Sequence, residues 1–280
     1  MSAAGRWIPN QHGAWAMLVV PFAAGVLIGD PVWAQLPLFV AWLLAYVVTF
    51  HAQQWLRLRR LAHRACRTPR PATRAAGPGR PVGPSAPAGA SRRGASARPA
   101  RHLRHVRPVL VLGTALAALG VPLAVLHPWL LLAAAAATPF LAVNLRYAAH
   151  NRERALLNGL AAVVPACGML LVTLRLGGGT LTAGLAPAAA CLLYFAGTVP
   201  YVKTMIRERN SAAYRRGSIA YHALALPAAT LLNPWLALPF TLYLARAAVL
   251  PGRGLKVPVV GAVEVGCSLL LLGFLTAGYG

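Results

Sequence analysis

The chain has 280 residues, 58% of them hydrophobic and 11% charged, with a mean hydropathy of +0.59, which excludes an ordinary water-soluble surface. Lys and Arg number 27 against four acidic residues, Asp30, Glu153, Glu208 and Glu264. The net charge of +23 is spread between apolar segments without the interleaved aromatics of a nucleic-acid surface, so the expected counter-charge is the anionic lipid of a bilayer rather than nucleic acid.

A spanning helix needs about 20 mainly apolar residues, and the sequence predicts nine in chain order. The first, Gly13 to Gly29, follows the polar entry Asn10-Gln11-His12 and reads as a retained helix rather than a cleaved signal. The second, Leu36 to Leu56, carries His51-Ala52-Gln53-Gln54 near its end. Residues 57–107 then form a basic linker whose Pro- and Gly-rich centre, Thr68 to Ala100, has too little apolar content for a core. Spans follow at Pro108 to Leu126 and Pro128 to Ala148, joined by a tight hairpin at His127-Pro128. The last five are Ala155 to Leu174, Leu181 to Lys203, Ser218 to Leu232, Trp235 to Leu250 and Val257 to Tyr279, with a second tight hairpin at Asn233-Pro234. Gly177 to Gly179 lacks the ending of a phosphate-binding loop and reads as a flexible turn. The expected fold is an all-α polytopic bundle of about nine transmembrane helices, with residues 1–56 and 108–280 in one membrane domain.

Alternating spans divide the charge. With the N-terminus in the cytoplasm, all of the 27 Lys and Arg residues except Arg175 fall inside, a strong positive-inside signal. The C-terminus is then extracytoplasmic, and the Arg-rich composition also suits GC-rich coding. Cys66, Cys167, Cys191 and Cys267 are scattered and suggest neither a disulfide framework nor zinc. No cofactor or metal is expected.

Polar residues concentrate at four places on the cytoplasmic side. These hold Gln11 and His12, then His51 and Gln54, then Asn144, Arg146, Asn151 and Asn158, and finally the stretch Tyr201 to His222. In the last, Lys203 and Arg207 are spaced to share one helix face, and Tyr214, Ser218 and His222 another. With Arg215 they suit a phosphate or diphosphate, the guanidinium as a bidentate fork and the ammonium as a point charge. The same arginines also read as an ordinary positive-inside loop, and a lone histidine at an interface reads equally as a hydrogen-bonded structural residue. Glu153 and Glu208 are each flanked by arginines that balance them, at Arg152 and Arg154 and at Arg207 and Arg209. Glu264 lies inside the ninth span without a sequence neighbour to pair with, so it is expected to face a partner helix or a cavity, as a candidate proton or cation site.

The opening Pro9-Asn10-Gln11-His12-Gly13-Ala14-Trp15-Ala16-Met17-Leu18, followed by Pro21, resembles that of the YwiC-like family of bacterial membrane proteins, as does the later Tyr201-Val202-Lys203 with Arg207-Glu208-Arg209. That resemblance implies a multi-pass protein of the bacterial inner membrane and carries no established activity. Nine helices with polar segments after the second, fourth and sixth are also similar to the UbiA superfamily of intramembrane prenyltransferases. Its members hold magnesium and an isoprenoid diphosphate on Asp-rich motifs after helices 2 and 6. This sequence departs from that pattern, with no carboxylate from His51 to Arg59 and only Glu208 after the sixth span. The expected ligand is an amphipathic molecule with an anionic head, an isoprenoid or polyprenyl phosphate, in a cytoplasm-facing cavity. Lys203, Arg207 and Arg215 would hold its head, Asn144, Asn151 and Asn158 would position it, and His12 or His51 would move protons. The alternative is a transporter or an accessory membrane subunit that relies on Glu264 and the histidines.

Overall fold

A computed structural model describes residues 12–67 and 103–280, with side chains over 14–62 and from 104 onward. Gln11 and the centre of the expected linker lie outside the described residues, as does the side chain of His12.

The described residues form nine α-helices: α1 (His12–Ile28), α2 (Gln35–Arg67), α3 (Val106–Leu126), α4 (Leu130–Ala149), α5 (Leu156–Leu176), α6 (Leu181–Ile206), α7 (Ala212–Leu232), α8 (Ala237–Val249) and α9 (Val257–Tyr279). Short 3-10 turns precede α3 at Leu103–His105 and α8 at Pro234–Leu236. Six of the helices, α2 to α6 and α9, are long and apolar enough to cross a membrane. The other three lie where spans were expected, but α1 and α8 are shorter, at 17 and 13 residues, and α7 is interrupted by Tyr214, Arg215, Arg216 and His222. The polytopic helical bundle read from hydropathy is the fold of the chain.

Two helices differ from their expected bounds for local reasons. α2 continues past Leu56 to Arg67, so the first eleven residues of the expected linker are helical; they are mostly Leu, Arg and Ala, which are strong helix formers. α7 starts at Ala212 rather than Ser218 because the Ser211 hydroxyl accepts from the Tyr214 amide at 3.4 Å and caps the helix.

α1 packs on α5 and α9, α5 on α4 and α6, α6 on α7 and α9, and α7 on α8, while α2 pairs with α3 and α4 at the side. Only 6% of the apolar stretch of α3 and of α4 is buried, against 39% in α5 and 44% in α6, so the core lies around α5 and α6. Leu170, Tyr194, Phe240, Tyr243, Leu271 and Leu275 are its central side chains. Turns alternate between the two ends of the bundle. One end holds the start of α1 and the α4–α5, α6–α7 and α8–α9 connections. The other holds the α1–α2, α3–α4, α5–α6 and α7–α8 connections, where the end of α9 meets Asn233, whose Nδ2 donates to the Gly278 carbonyl at 3.1 Å.

The α1–α5 contact joins segments more than 100 residues apart and depends on small residues, as helix pairs in lipid do. A Cβ at Gly25 would meet the Thr173 hydroxyl at 1.9 Å and the Leu170 carbonyl at 2.5 Å, and one at Gly29 the Leu174 side chain at 2.9 Å. Beyond them, a Cβ at Gly177 would lie 2.3 Å from the Asp30 carbonyl, so this glycine serves a close backbone crossing as well as a turn. Gln35 closes the crossing, donating to the carbonyls of Thr173 at 3.1 Å and Asp30 at 3.3 Å.

Gly25→Val is expected to lower the thermal unfolding temperature of the extracted protein by several degrees, or to abolish its accumulation. Gly113→Val, where an added Cβ meets nothing within 4 Å, should cost only helix propensity. Size-exclusion thermostability profiles of the two variants compare them directly.

Candidate functional site

The expected polar residues gather at one end of the bundle but divide into two groups. In the first, α2 meets the turn before α3 and the α4–α5 connection. His51 is buried and its Nδ1 lies 2.9 Å from Nδ1 of His105, with the rings tilted at 42°. Arg104 Nε donates to His105 Nε2 at 3.2 Å. That bond makes Nε2 the acceptor, so His105 carries its proton on Nδ1 and donates it to His51. Burial, then His51 and Arg104, pull the His105 pKa down to about 4. Arg57 faces Glu153 at 3.7 Å, which corrects the expectation that Glu153 is balanced by its neighbours Arg152 and Arg154. Arg60 Nη1 is 3.4 Å from His150 Nε2.

Two of the three asparagines expected to position a head group bond to backbone carbonyls. Asn144 Nδ2 donates to the Phe140 carbonyl one turn back at 2.8 Å. Asn151 occupies a left-handed turn at φ 59°, a conformation asparagine tolerates well. Asn158 Nδ2 donates to the Glu153 carbonyl at 2.7 Å, leaving its buried Oδ1 without a hydrogen bond. Arg146 is exposed at the end of α4, and Gln54 is half-buried on α2.

The second group surrounds a groove of about 400 Å³ between α5, α6 and α7. Its walls are apolar, with Leu156 and Leu160 from α5 and Ala196 and Pro200 from α6, and Tyr214 and Ser218 line it from α7. Tyr214, Ser218 and His222 fall on one stripe of α7, as their spacing predicts. Ser218 is fully buried and its hydroxyl makes no hydrogen bond. His222 Nδ1 donates to the Ser218 carbonyl at 2.7 Å. Gly197 allows α6 and α7 to approach here, since a Cβ would sit 3.1 Å from His222 Nε2.

Cations lie around the α6–α7 connection beside the groove. Lys203 donates to the Arg154 carbonyl at 2.7 Å and stands 5.9 Å from the Tyr214 ring centre. Arg207 holds its proton less tightly than usual because it is partly desolvated and lies near Arg154. Arg215 Nη2 donates to the Ala248 carbonyl at 3.3 Å and Arg209 Nη2 to the Leu255 carbonyl at 3.1 Å. Among the described residues the ion pairs are Arg57–Glu153 and Arg246–Glu264, so Glu208 is not paired with Arg207 or Arg209 as expected.

Glu264 faces a partner helix, and the partner is Arg246 of α8, a residue inside the expected span Trp235 to Leu250 that was not among the expected site residues. Arg246 Nη1 donates to Glu264 Oε1, and the two side chains are only 3% and 5% exposed. The guanidinium carbon lies 4.2 Å from the Tyr201 ring centre, 5.5 Å from that of Tyr243 and 5.7 Å from that of Tyr194. Three aromatic faces thus share the cation. The signal for Arg246 was its place as the one cation inside the apolar run Ala237 to Leu250.

Replacing Arg246 with Met leaves Glu264 buried alone and should cost about 3–5 kcal/mol. The double variant Arg246→Met with Glu264→Leu should recover most of that loss, because the desolvation of both charges disappears together. A double-mutant cycle on thermal unfolding of the extracted protein measures the coupling. A second expectation concerns His105. Its folded pKa lies below the ordinary histidine value, so it stabilises the neutral pair at high pH, and this is lost as pH falls through about 6.5 toward 4. Hydrogen exchange over residues 103–110, corrected for intrinsic rate, should quicken between pH 7 and 5 in the natural chain and much less in His105→Gln.

The model of the YwiC-like protein family matches residues 8–75 and 88–174. The chain is 28% identical over 262 residues to a Bacillus subtilis (strain 168) protein titled "Uncharacterized protein YwiC", with 92% of each chain covered. It is also 28% identical over 266 residues to an "Uncharacterized protein" of Haemophilus influenzae, again with 92% of each covered. No solved structure gives a significant match.

Proposed function

The chain belongs to the YwiC-like protein family, and we propose that it binds an amphipathic molecule with an anionic head, of the isoprenoid-phosphate class, at the cytoplasmic side of the bacterial inner membrane. The observation that carries this reading is the groove between α5, α6 and α7. It has apolar walls suited to a hydrocarbon tail, a buried hydroxyl at Ser218 without a partner, and cations beside it that no carboxylate neutralises. Lys203, Arg154 and Arg207 would meet the phosphate oxygens with charge-assisted bonds, and Leu156, Leu160 and Pro200 would flank the tail. His51, which bonds to His105, belongs to the neighbouring polar group rather than to the groove lining.

Orientation supports the same reading. By the positive-inside rule the end of the bundle that carries the basic connections would face the cytoplasm, with the groove's cations at the inner leaflet. The relation to the UbiA superfamily remains part of the proposal and rests on nine helices with polar segments after α2, α4 and α6. With Glu153 and Glu264 each committed to an arginine, the head group is read as met by Arg and Lys directly.

Native mass spectrometry of the gently extracted full chain tests this. A co-purifying isoprenoid phosphate or anionic lipid is expected, with occupancy reduced roughly tenfold in Lys203→Ala and in Arg207→Ala, as for loss of a charge-assisted bond worth about 1.5–3 kcal/mol. Unchanged occupancy in both variants removes the head-group assignment. One observation favours solute passage as a second reading. Charge inside a membrane is costly and marks ion or proton pathways, and Arg246–Glu264 is such a pair.

A further inference from the structure

The buried pair has more hydrogen-bonding capacity than it uses. Arg246 engages Glu264 through Nη1 alone, while Nε and Nη2 make no hydrogen bond; the Glu264 carboxylate also has the Thr198 hydroxyl beside it, although that hydroxyl donates to the Tyr194 carbonyl and leaves Oε2 without a bond. Nε and Nη2 form the side edge of the guanidinium, whose two parallel N–H groups match the two oxygens of a carboxylate or phosphate. The aromatic faces of Tyr194, Tyr201 and Tyr243 attract the cation but supply no lone-pair acceptor to these two donors. Cys267 also lies against the guanidinium, and sulfur is a weak acceptor.

Tyr201, on the same helix that supplies Ala196 and Pro200 to the groove, packs against the guanidinium. Its ring is the nearest of the three to the guanidinium, at 4.2 Å, and its own buried hydroxyl has no hydrogen bond. The residue before it, Pro200, lines the groove and supplies no amide to the Ala196 carbonyl. α6 therefore lacks one backbone bond next to the residue whose ring packs on the guanidinium.

We propose that the side edge of Arg246 is a binding site for a monovalent oxyanion, closed by Tyr201 and linked to protonation of Glu264. The charge balance fixes the linkage. In the closed state Arg246 and the Glu264 carboxylate sum to zero, and an added anion alone would leave a net negative charge in the membrane interior, which is strongly disfavoured. If the carboxylate takes up one proton, the anion replaces it as the counter-charge of Arg246 and the sum stays at zero. One proton is thus bound for each anion. The groups that face the pair are Tyr194, Thr198 and Tyr201 of α6, His222 of α7, Tyr243 of α8 and Cys267 of α9. Of these His222 is the other candidate proton acceptor, and Glu264→Gln separates the two. The inference stands without the groove reading, since the oxyanion is either a free small anion or the head of a tailed one.

The full chain in lipid nanodiscs, in weakly buffered solution, is titrated with formate, acetate and decanoate while proton uptake is followed, and saturation-transfer NMR reports anion binding. Uptake of one proton per anion is expected for the natural chain, with binding at least tenfold weaker at pH 8 than at pH 5.5. Glu264→Gln, confirmed folded by its elution profile, should bind at both pH values without uptake, and Arg246→Gln should bind at neither. Response to formate and acetate marks a free anion, and response to decanoate alone assigns the edge to a tailed ligand's head; both support the site. The failure of all three anions to cause uptake by the natural chain overturns it, whatever the variants do. So does uptake that persists in Glu264→Gln, which would place the proton on His222. Loss of the groove ligand in Lys203→Ala with anion uptake intact would show that the two sites stand separately.

Discussion

Lipid hydrocarbon offers no hydrogen bonds, so every polar group of this chain that enters it must find its partner within the protein. The backbone meets this demand by folding into helices. Side chains meet it locally where they can: Thr114, Thr138 and Thr241 each donate to the carbonyl one turn back, at 2.9, 3.0 and 2.7 Å. What cannot be met locally is met across helices, and those contacts decide how the bundle closes. Thr173 donates to the Phe22 carbonyl of α1, Tyr243 to the Cys267 carbonyl of α9, and Tyr279 to the Leu232 carbonyl of α7.

Because apolar side chains gain little by exchanging lipid for protein, packing in this solvent depends on close backbone approach. Gly25, Gly29 and Gly177 provide it between α1 and α5. α1 in turn touches α6 and α9, so the crossing connects the first helix to the half of the chain that holds the groove and the buried ion pair. By contrast α3 and α4 bury little and lie against α2. They are joined to the rest by an apolar cluster in which Leu123 of α3 and Leu130 of α4 meet Phe22, Leu38 and Met169, by the packing of α4 on α5, and by the polar contacts His51 to His105 and Arg57 to Glu153 at the basic end.

The nine helices and their alternation were legible because length and hydropathy are local properties and the charge division constrains their parity. Helix ends were less so. The early start of α7 depends on one hydroxyl at Ser211, and α2 outlasts its apolar run because Arg, Leu and Ala sustain a helix in water as well as in lipid. Within the candidate site, Tyr214, Ser218 and His222 were readable since they share one helix and a fixed period. Arg246 was not. Its pairing with Glu264 spans 18 positions and two helices, and no local period of the sequence marks that contact. Glu153 shows the same limit in reverse, with two sequence neighbours of the right sign and a partner, Arg57, on another helix.

The groove and the buried ion pair follow different electrostatic logic. Around the groove, Arg154 and Arg207 are exposed and Lys203 is half-buried, so solvent can screen their surplus positive charge. That surplus attracts an anion without needing one. Deeper in, Arg246 is enclosed and its charge must be cancelled at all times, so any anion that reaches it competes with Glu264 rather than adding to it. Under the proposals made above, the first region would act on a ligand by attraction and the second by exchange, with Tyr201 next to Pro200 in sequence and 4.2 Å from the Arg246 guanidinium carbon.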